Sequence, residues 1–283
     1  MLSTAKRVVV WLALGSAATS CSKSSAVSAE KASEHVALLA KAVETDLAEV
    51  RTGMPKGAEL LKGYFDAGEF QDATAARDQL ERTRSKVQDL RIAKSTFFAL
   101  VDTKGGVIRS DQEHDALAGK NLSQAFPEFL RALEGSYVET RVAIDEAAGV
   151  RGRKDAQWLA VQPVGAAGAV KGLYVTGWSF SAYAYRLENQ LRSHVRAGVE
   201  GVEKEGKEPL VYVFVVVDGK AFGAPITPEV NAQAIERQPF IKSDAKTPVK
   251  VELEITGRDF GAAFLSTPGL GKGTGIAVLR SET

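Results

Sequence analysis

Phe97-Phe98-Ala99-Leu100-Val101-Asp102-Thr103-Lys104-Gly105-Gly106-Val107-Ile108-Arg109-Ser110 reads as two strands folded back on a glycine turn, and the rest of the chain can be laid out from it. Phe97–Val101 is a continuous apolar run with the length of a strand. Asp102 opens a turn whose two glycines allow the chain to reverse, and its carboxylate can hold that turn locally. Val107–Ser110 returns. Downstream, a polar loop leads to a short helix around Ser123–Leu133, with Asn121 or Ser123 as the cap. Strands are predicted at 137–144, 157–164 and 172–179, the last two joined by the glycine-rich turn Gly165–Gly168. An amphipathic helix follows over 181–204, through Leu187, Leu191, Val195 and Val199.

The same grammar then recurs. Leu210–Val217 is an apolar strand, Asp218-Gly219 a tight turn, and Ala221–Ala224 a return strand. A helix begins at Thr227-Pro228, where the missing proline N–H costs nothing. Three strands complete the copy, at 249–255, 260–265 and 275–280. Gly172-Leu173-Tyr174-Val175 corresponds to Gly275-Ile276-Ala277-Val278. Two copies of strand, turn, strand, helix and three strands imply an α+β fold: long N-terminal helices, then two antiparallel sheets with helices on one face.

Upstream, Val36, Leu39, Val43, Leu47 and Val50 recur at spacings of three and four and form one helical stripe. Gly53, Pro55 and Gly57 predict a break before a short helix near Ala58–Phe65. Ala73, Ala76, Leu80, Thr83, Val87 and Leu90 form a second stripe.

The first twenty residues have the three parts of an export signal. Lys6 and Arg7 precede the apolar run Val8–Leu14, and Ala17-Ala18-Thr19-Ser20 leads to Cys21. The apolar run is far shorter than the roughly 20 residues of a membrane-spanning helix. Ala18-Thr19-Ser20-Cys21 resembles a bacterial lipobox, although Ala18 stands where leucine is usual, and the resemblance implies that Cys21 is acylated. The alternative is ordinary cleavage that leaves a free thiol. Cys21 is the only cysteine, so no internal disulfide can form. Ser22 in place of aspartate favours the outer membrane by the same resemblance. The expected organisation is a signal peptide over 1–20, a small polar tether over 21–30, a first domain over 31–204 and a second, smaller lobe over 205–283.

The chain has 36 Lys and Arg against 35 Asp and Glu. Losing Lys6 and Arg7 with the leader leaves 34 against 35. Neither a basic footprint for nucleic acid nor an acidic tail is present.

Leu100-Val101-Asp102, Gly105–Asp111, Leu117–Leu122, Ala132-Leu133-Glu134-Gly135, Pro163 and Gly172–Val175, behind a long helix, resemble the PAS-like extracytoplasmic sensor domains called Cache. The match spans roughly residues 30–200, and the repeat extends it to a double-Cache arrangement. The resemblance implies a small-ligand pocket between the first sheet and the segment joining its second and third strands, lined by Phe98, Arg109, Trp158, Tyr174 and Trp178. Each has a plainer reading: Phe98 and Trp158 as core, and Arg109 in a salt bridge with Asp111 or Asp102. Amino-acid-binding relatives carry an acid late in the last strand. Thr176-Gly177-Trp178-Ser179 has none there, which favours a carboxylate or neutral ligand. Family members usually continue into a membrane helix and a signalling domain, whereas this sequence stops at Thr283. The implied partner is therefore a sensor kinase or chemoreceptor in the membrane.

No enzyme, cofactor or metal is expected. Gly177-Trp178-Ser179-Phe180-Ser181 lacks the final glycine of a nucleophile elbow. Gly269–Gly275 fails P-loop spacing and precedes a strand. Asp111, Glu113, His114 and Asp115 match no ligand pattern. The rival reading is an envelope scaffold lipoprotein with no small-molecule ligand.

Overall fold

A computed structural model describes residues 18–68, 72–95, 97–123, 127–145, 154–199 and 208–282. The helices are α1 (Ala18–Ala67), α2 (Ala73–Lys86), α3 (Gln88–Ile92), α4 (Phe180–Val199) and α5 (Glu229–Glu236). The first sheet is built from β1 (Phe97–Val101), β2 (Val107–Ser110), β3 (Val138–Asp145), β4 (Lys154–Val164) and β5 (Gly172–Ser179). The second is built from β6 (Leu210–Val217), β7 (Lys220–Gly223), β8 (Val249–Ile255), β9 (Arg258–Ser266) and β10 (Thr274–Ser281). Their strand orders are β2-β1-β5-β4-β3 and β7-β6-β10-β9-β8, one topology used twice, and every pairing is antiparallel. The corresponding segments Gly172–Val175 and Gly275–Val278 lie in the two central strands, β5 and β10.

The two sheets share one core. Ala32, Val36, Leu39, Val43, Leu47, Val50, Met54 and Leu61 of α1 are fully buried. They pack in one cluster with Phe98, Leu100, Trp158, Tyr174 and Trp178 of the first sheet and with Val213, Val215, Ala263, Ile276 and Val278 of the second. Each such side chain contributes about 1.5–3 kcal/mol through area removed from water.

The first two departures from sequence expectation concern α1. It runs unbroken for 50 residues through Gly53, Pro55 and Gly57. A Cβ on Gly53 would meet Leu90 at 2.6 Å, and one on Gly57 would meet Tyr174 at 2.7 Å. The glycines thus form a notch into which Leu90 and Tyr174 fit, and tertiary packing overrides their low helix propensity. The second departure is the tether. Residues 21–30 are helical, and their latter half is seated on the second sheet. Ser28 is fully buried and its hydroxyl accepts from the Glu282 N–H at 3.2 Å. The Ser25 hydroxyl donates to Glu252, and Lys250 pairs with Glu30. The side chain of Cys21, residues 1–17 and residues 200–204 of the predicted helix lie outside what is described. Among the described residues no helix is long and apolar enough to cross a membrane.

Shorter segments pack on the other face of each sheet. On the first sheet a 3-10 helix, Pro127–Glu134, replaces the expected helix over 123–133. The Asn121 side-chain oxygen accepts from the Ser123 N–H at 2.9 Å within the preceding loop. Asp102 holds the β1–β2 turn, accepting from the N–H groups of Lys104 and Gly106 at 2.8 Å each.

His35 on α1 meets His194 on α4 edge to face, with centroids 6.5 Å apart. It is 7% exposed. Burial, reinforced by Arg280 and His194, pushes its pKa down to about 4. The unfolded chain therefore binds a proton at His35 from about pH 6.5 downward while the folded chain does not until about pH 4. Stability associated with His35 is lost as the pH falls across that window, by up to roughly 3 kcal/mol. Urea midpoints for wild type and His35→Gln, followed from pH 7 to pH 4, should diverge with wild type falling faster. Parallel curves would refute this.

Candidate functional site

Alternation along the strands sorts the five predicted ligand residues. The register places Trp158 opposite Trp178 and Tyr174 opposite Leu100, all facing α1. Phe98 stacks on Tyr174 at 5.7 Å, Trp158 on Trp178 at 4.5 Å, and Trp178 on Tyr183 of α4 at 4.5 Å. The Arg84 guanidinium lies 5.1 Å from the centre of the Phe98 ring. Phe98, Trp158, Tyr174 and Trp178 are thus a buried aromatic column beneath the helices, on the face opposite the Pro127–Glu134 segment. Among the described residues only Trp158 of these four shares a cleft with that segment, through Glu128 and Arg131. β1 and β5 are buried at every position, so their composition carries no record of which residues face which side.

Arg109 is separate again. It lies on the edge strand β2, paired with Leu100, and its guanidinium reaches Asp115 at 3.2 Å and the Gln112 carbonyl at 3.3 Å. The salt-bridge reading is correct in kind, but the partner is Asp115 and not Asp111 or Asp102. Asp111 instead accepts from the Phe98 N–H at 2.9 Å and from Arg84 at 3.2 Å, and burial raises its pKa against those two contacts. Asp115 accepts from the Ser110 N–H at 2.6 Å, the Ser110 hydroxyl at 2.7 Å, and the Leu117 and Ala118 N–H groups at 3.1 Å each. These two acids of the acid-histidine run are engaged in holding the backbone.

The face under the Pro127–Glu134 segment is mostly aliphatic: Phe97, Ala99, Val101, Leu159, Val161, Leu173 and Val175 meet Phe129 and Ala132. At one end it becomes polar. Asp155, Gln157 and Ser179 are 4%, 0% and 0% exposed. Ser179 donates to one Asp155 oxygen at 2.9 Å, and the Gln157 amide donates to the other at 3.1 Å. The Ser179 oxygen also accepts from the Ala182 N–H at 3.3 Å, which ties the trio to the first turn of α4. Among the described residues the Gln157 side-chain carbonyl has no donor. A buried acceptor left unpaired costs about 1–3 kcal/mol, which an N–H or O–H donor would offset. The last strand carries no acid, as the sequence indicates, but β4 supplies one beside it. Asp155 and Gln157, two residues apart in a strand, show this by alternation with Leu159 and Val161.

Between the lobes runs a second cleft of about 510 Å³, which Trp158 borders. Arg51 of α1 crosses it, holding Glu139 through two bonds of 2.7 and 2.8 Å and donating to the Gly269 carbonyl at 2.7 Å. Arg141 reaches Asp218 at 3.3 Å. These contacts strap the first sheet to the second.

No protein-family model matches the chain, and no curated protein matches it in sequence. Solved structures do match in fold. A domain of a sensory box/GGDEF family protein from Vibrio parahaemolyticus superposes with a TM-score of 0.57 at 10% identity, over 91% of this chain and 97% of its own. The ligand-binding domain of the Pseudomonas fluorescens chemoreceptor CtaA, in complex with L-isoleucine, gives 0.52 at 16% identity, over 91% and 93%. The ligand-binding domain of Mlp24, with asparagine, gives 0.52 at 14%, over 94% and 96%. The chain has an α+β, PAS/Cache-like fold similar to that of these sensory domains.

Proposed function

We propose that this protein is a non-enzymatic extracytoplasmic sensor of a small ligand, with a double-Cache arrangement, anchored by an acylated Cys21 and read by a membrane partner. The observation that carries the ligand assignment is the unpaired Gln157 carbonyl, buried beside Asp155 and Ser179 under the cap of the first lobe. The ligand therefore presents an N–H or O–H group to this trio. The amino acids bound by the CtaA and Mlp24 domains, whose fold is similar, support a ligand of that size and chemistry. The contact from Ser179 to α4 gives binding a route to the second lobe. A sensor kinase or chemoreceptor in the same membrane completes the path, and the outer membrane is the favoured station of the lipid.

A thermal-shift screen of free amino acids, small amines and polyols against the folded chain tests this. A ligand at one hundred times its Kd adds about 2.7 kcal/mol, which raises Tm by roughly 5–10 °C in a chain of this size. Gln157→Leu should fold and lose the shift. A protein that co-purifies with an envelope partner and responds to no small molecule would instead establish the scaffold reading. Mass spectrometry of the membrane-bound chain should find a multiply acylated N-terminal cysteine. An unmodified thiol there would remove the anchor from the proposal.

A further inference from the structure

Beside the end of β5, between the first sheet and α4, lies a cavity that shares Trp178 with the predicted aromatic pocket and Ser179 with the polar trio. It has a volume of about 60 Å³ and is bounded by Lys94 and Ser95, which join α3 to β1, by Trp178 and Ser179 of β5, and by Ala182, Tyr183 and Arg186 of α4. Two side chains in its wall carry buried polar atoms without partners among the described residues: the Ser95 hydroxyl and the Trp178 indole N–H. Trp178 is 2% exposed. An indole N–H can only donate, so what it faces must accept. Lys94 and Arg186 stand at the mouth, and among the described residues neither makes a salt bridge. The same two cations border an open groove of about 490 Å³ that continues outward past Ala42, Thr45, Asp46 and Gln190.

We propose that this cavity binds the carboxylate of a small organic acid. Ser95 and Trp178 supply neutral donors, Lys94 and Arg186 the charge, and the remainder of the molecule extends into the groove. A cavity of this size is below half of the roughly 150 Å³ that accommodates benzene, so it holds a carboxylate and one or two carbons. Two acids on the α1 wall, Asp46 and Glu49, lie within electrostatic reach of both cations. Asp46 accepts the Tyr183 hydroxyl at 2.7 Å, and burial raises its pKa, as it raises that of Glu49. Burial likewise lowers the pKa of Arg186. A carboxylate beside it restores the environment its charged form prefers, and a guanidinium can hold it through two parallel hydrogen bonds. The walls come from the α3–β1 junction, β5 and α4, and the groove adds α1. An occupied site therefore links both long helices to the sheet at the waist of the molecule.

Calorimetric titration of the full chain with acetate, propionate and lactate tests the assignment, with the methyl ester of lactate as the uncharged control. Saturable binding of at least one acid and none of the ester is expected. Ser95→Ala and Arg186→Gln, both at half-buried positions, should each weaken it at least tenfold, the loss expected for one charge-assisted hydrogen bond. Lys220→Gln, an exposed change on β7, should leave it unchanged. Failure of all three acids to saturate would overturn the proposal. So would affinity that survives both substitutions, or a crystal structure grown with the acids in which only water meets Ser95 and Trp178.

Discussion

Gly261→Val is expected to destabilise the protein by about 5 kcal/mol or to prevent folding outright, in the range reserved for changes that break a packing seam. Gly261 sits on β9 directly beneath the start of α1. A Cβ there would lie 1.9 Å from the Ala29 nitrogen and 2.3 Å from the Ser28 carbonyl carbon. Both are backbone atoms and cannot rotate away. The helix must lift, and with it the Ser28 contact to Glu282 and the Lys250–Glu30 pair. Thermal melts combined with limited proteolysis report this. The early part of α1 should become cleavable, and Tm should fall by well over 10 °C if any folded protein remains. A variant melting within 2 °C of wild type would show that α1 does not rest on this strand.

Asp115→Ala should cost roughly 4 kcal/mol, because the change strands several donors at once. The Asp115 side chain is 2% exposed, and it collects three backbone N–H groups, the Ser110 hydroxyl and the Arg109 guanidinium. Arg109→Ala should cost only about 1 kcal/mol, since the other four donors keep their acceptor. Urea denaturation of the two variants separates the views of Arg109. If it is a strut of the loop, ligand response persists in Arg109→Ala. If that response disappears while stability is kept, Arg109 belongs to a binding site after all.

The strand framework was legible because glycine and proline turns bracket the apolar runs. Gly172–Ser179, Leu210–Val217 and Val249–Ile255 begin and end where the sequence places them. The repeat was legible for the same reason, and the shared strand order extends it to topology. Two kinds of information were absent. A strand apolar at every position, such as Phe97–Val101, does not disclose which of Phe97 and Phe98 faces the helices. The aromatic residues were therefore assigned to the wrong side. Breakers such as Gly53 and Pro55 signal a helix end only where nothing packs against them, and here Leu90 and Tyr174 fill the space the glycines leave. The polar trio was half visible, since Asp155 and Gln157 interrupt one face of a strand that continues as Leu159 and Val161. Its third member, Ser179, comes from a strand 24 residues further on and is joined to it only by folding.

Pro55 has a mechanical consequence. Within α1 its ring nitrogen cannot bond the carbonyl of Arg51, so one rung of the hydrogen-bond ladder is missing. The helix is roughly 75 Å long, and the gap falls beside the residue that straps one sheet to the other. A shaft with one soft joint yields by swinging about that joint more readily than by sliding along its length. Motion begun in either lobe would thus emerge at the far end as a change of angle, a tilt and not a piston stroke.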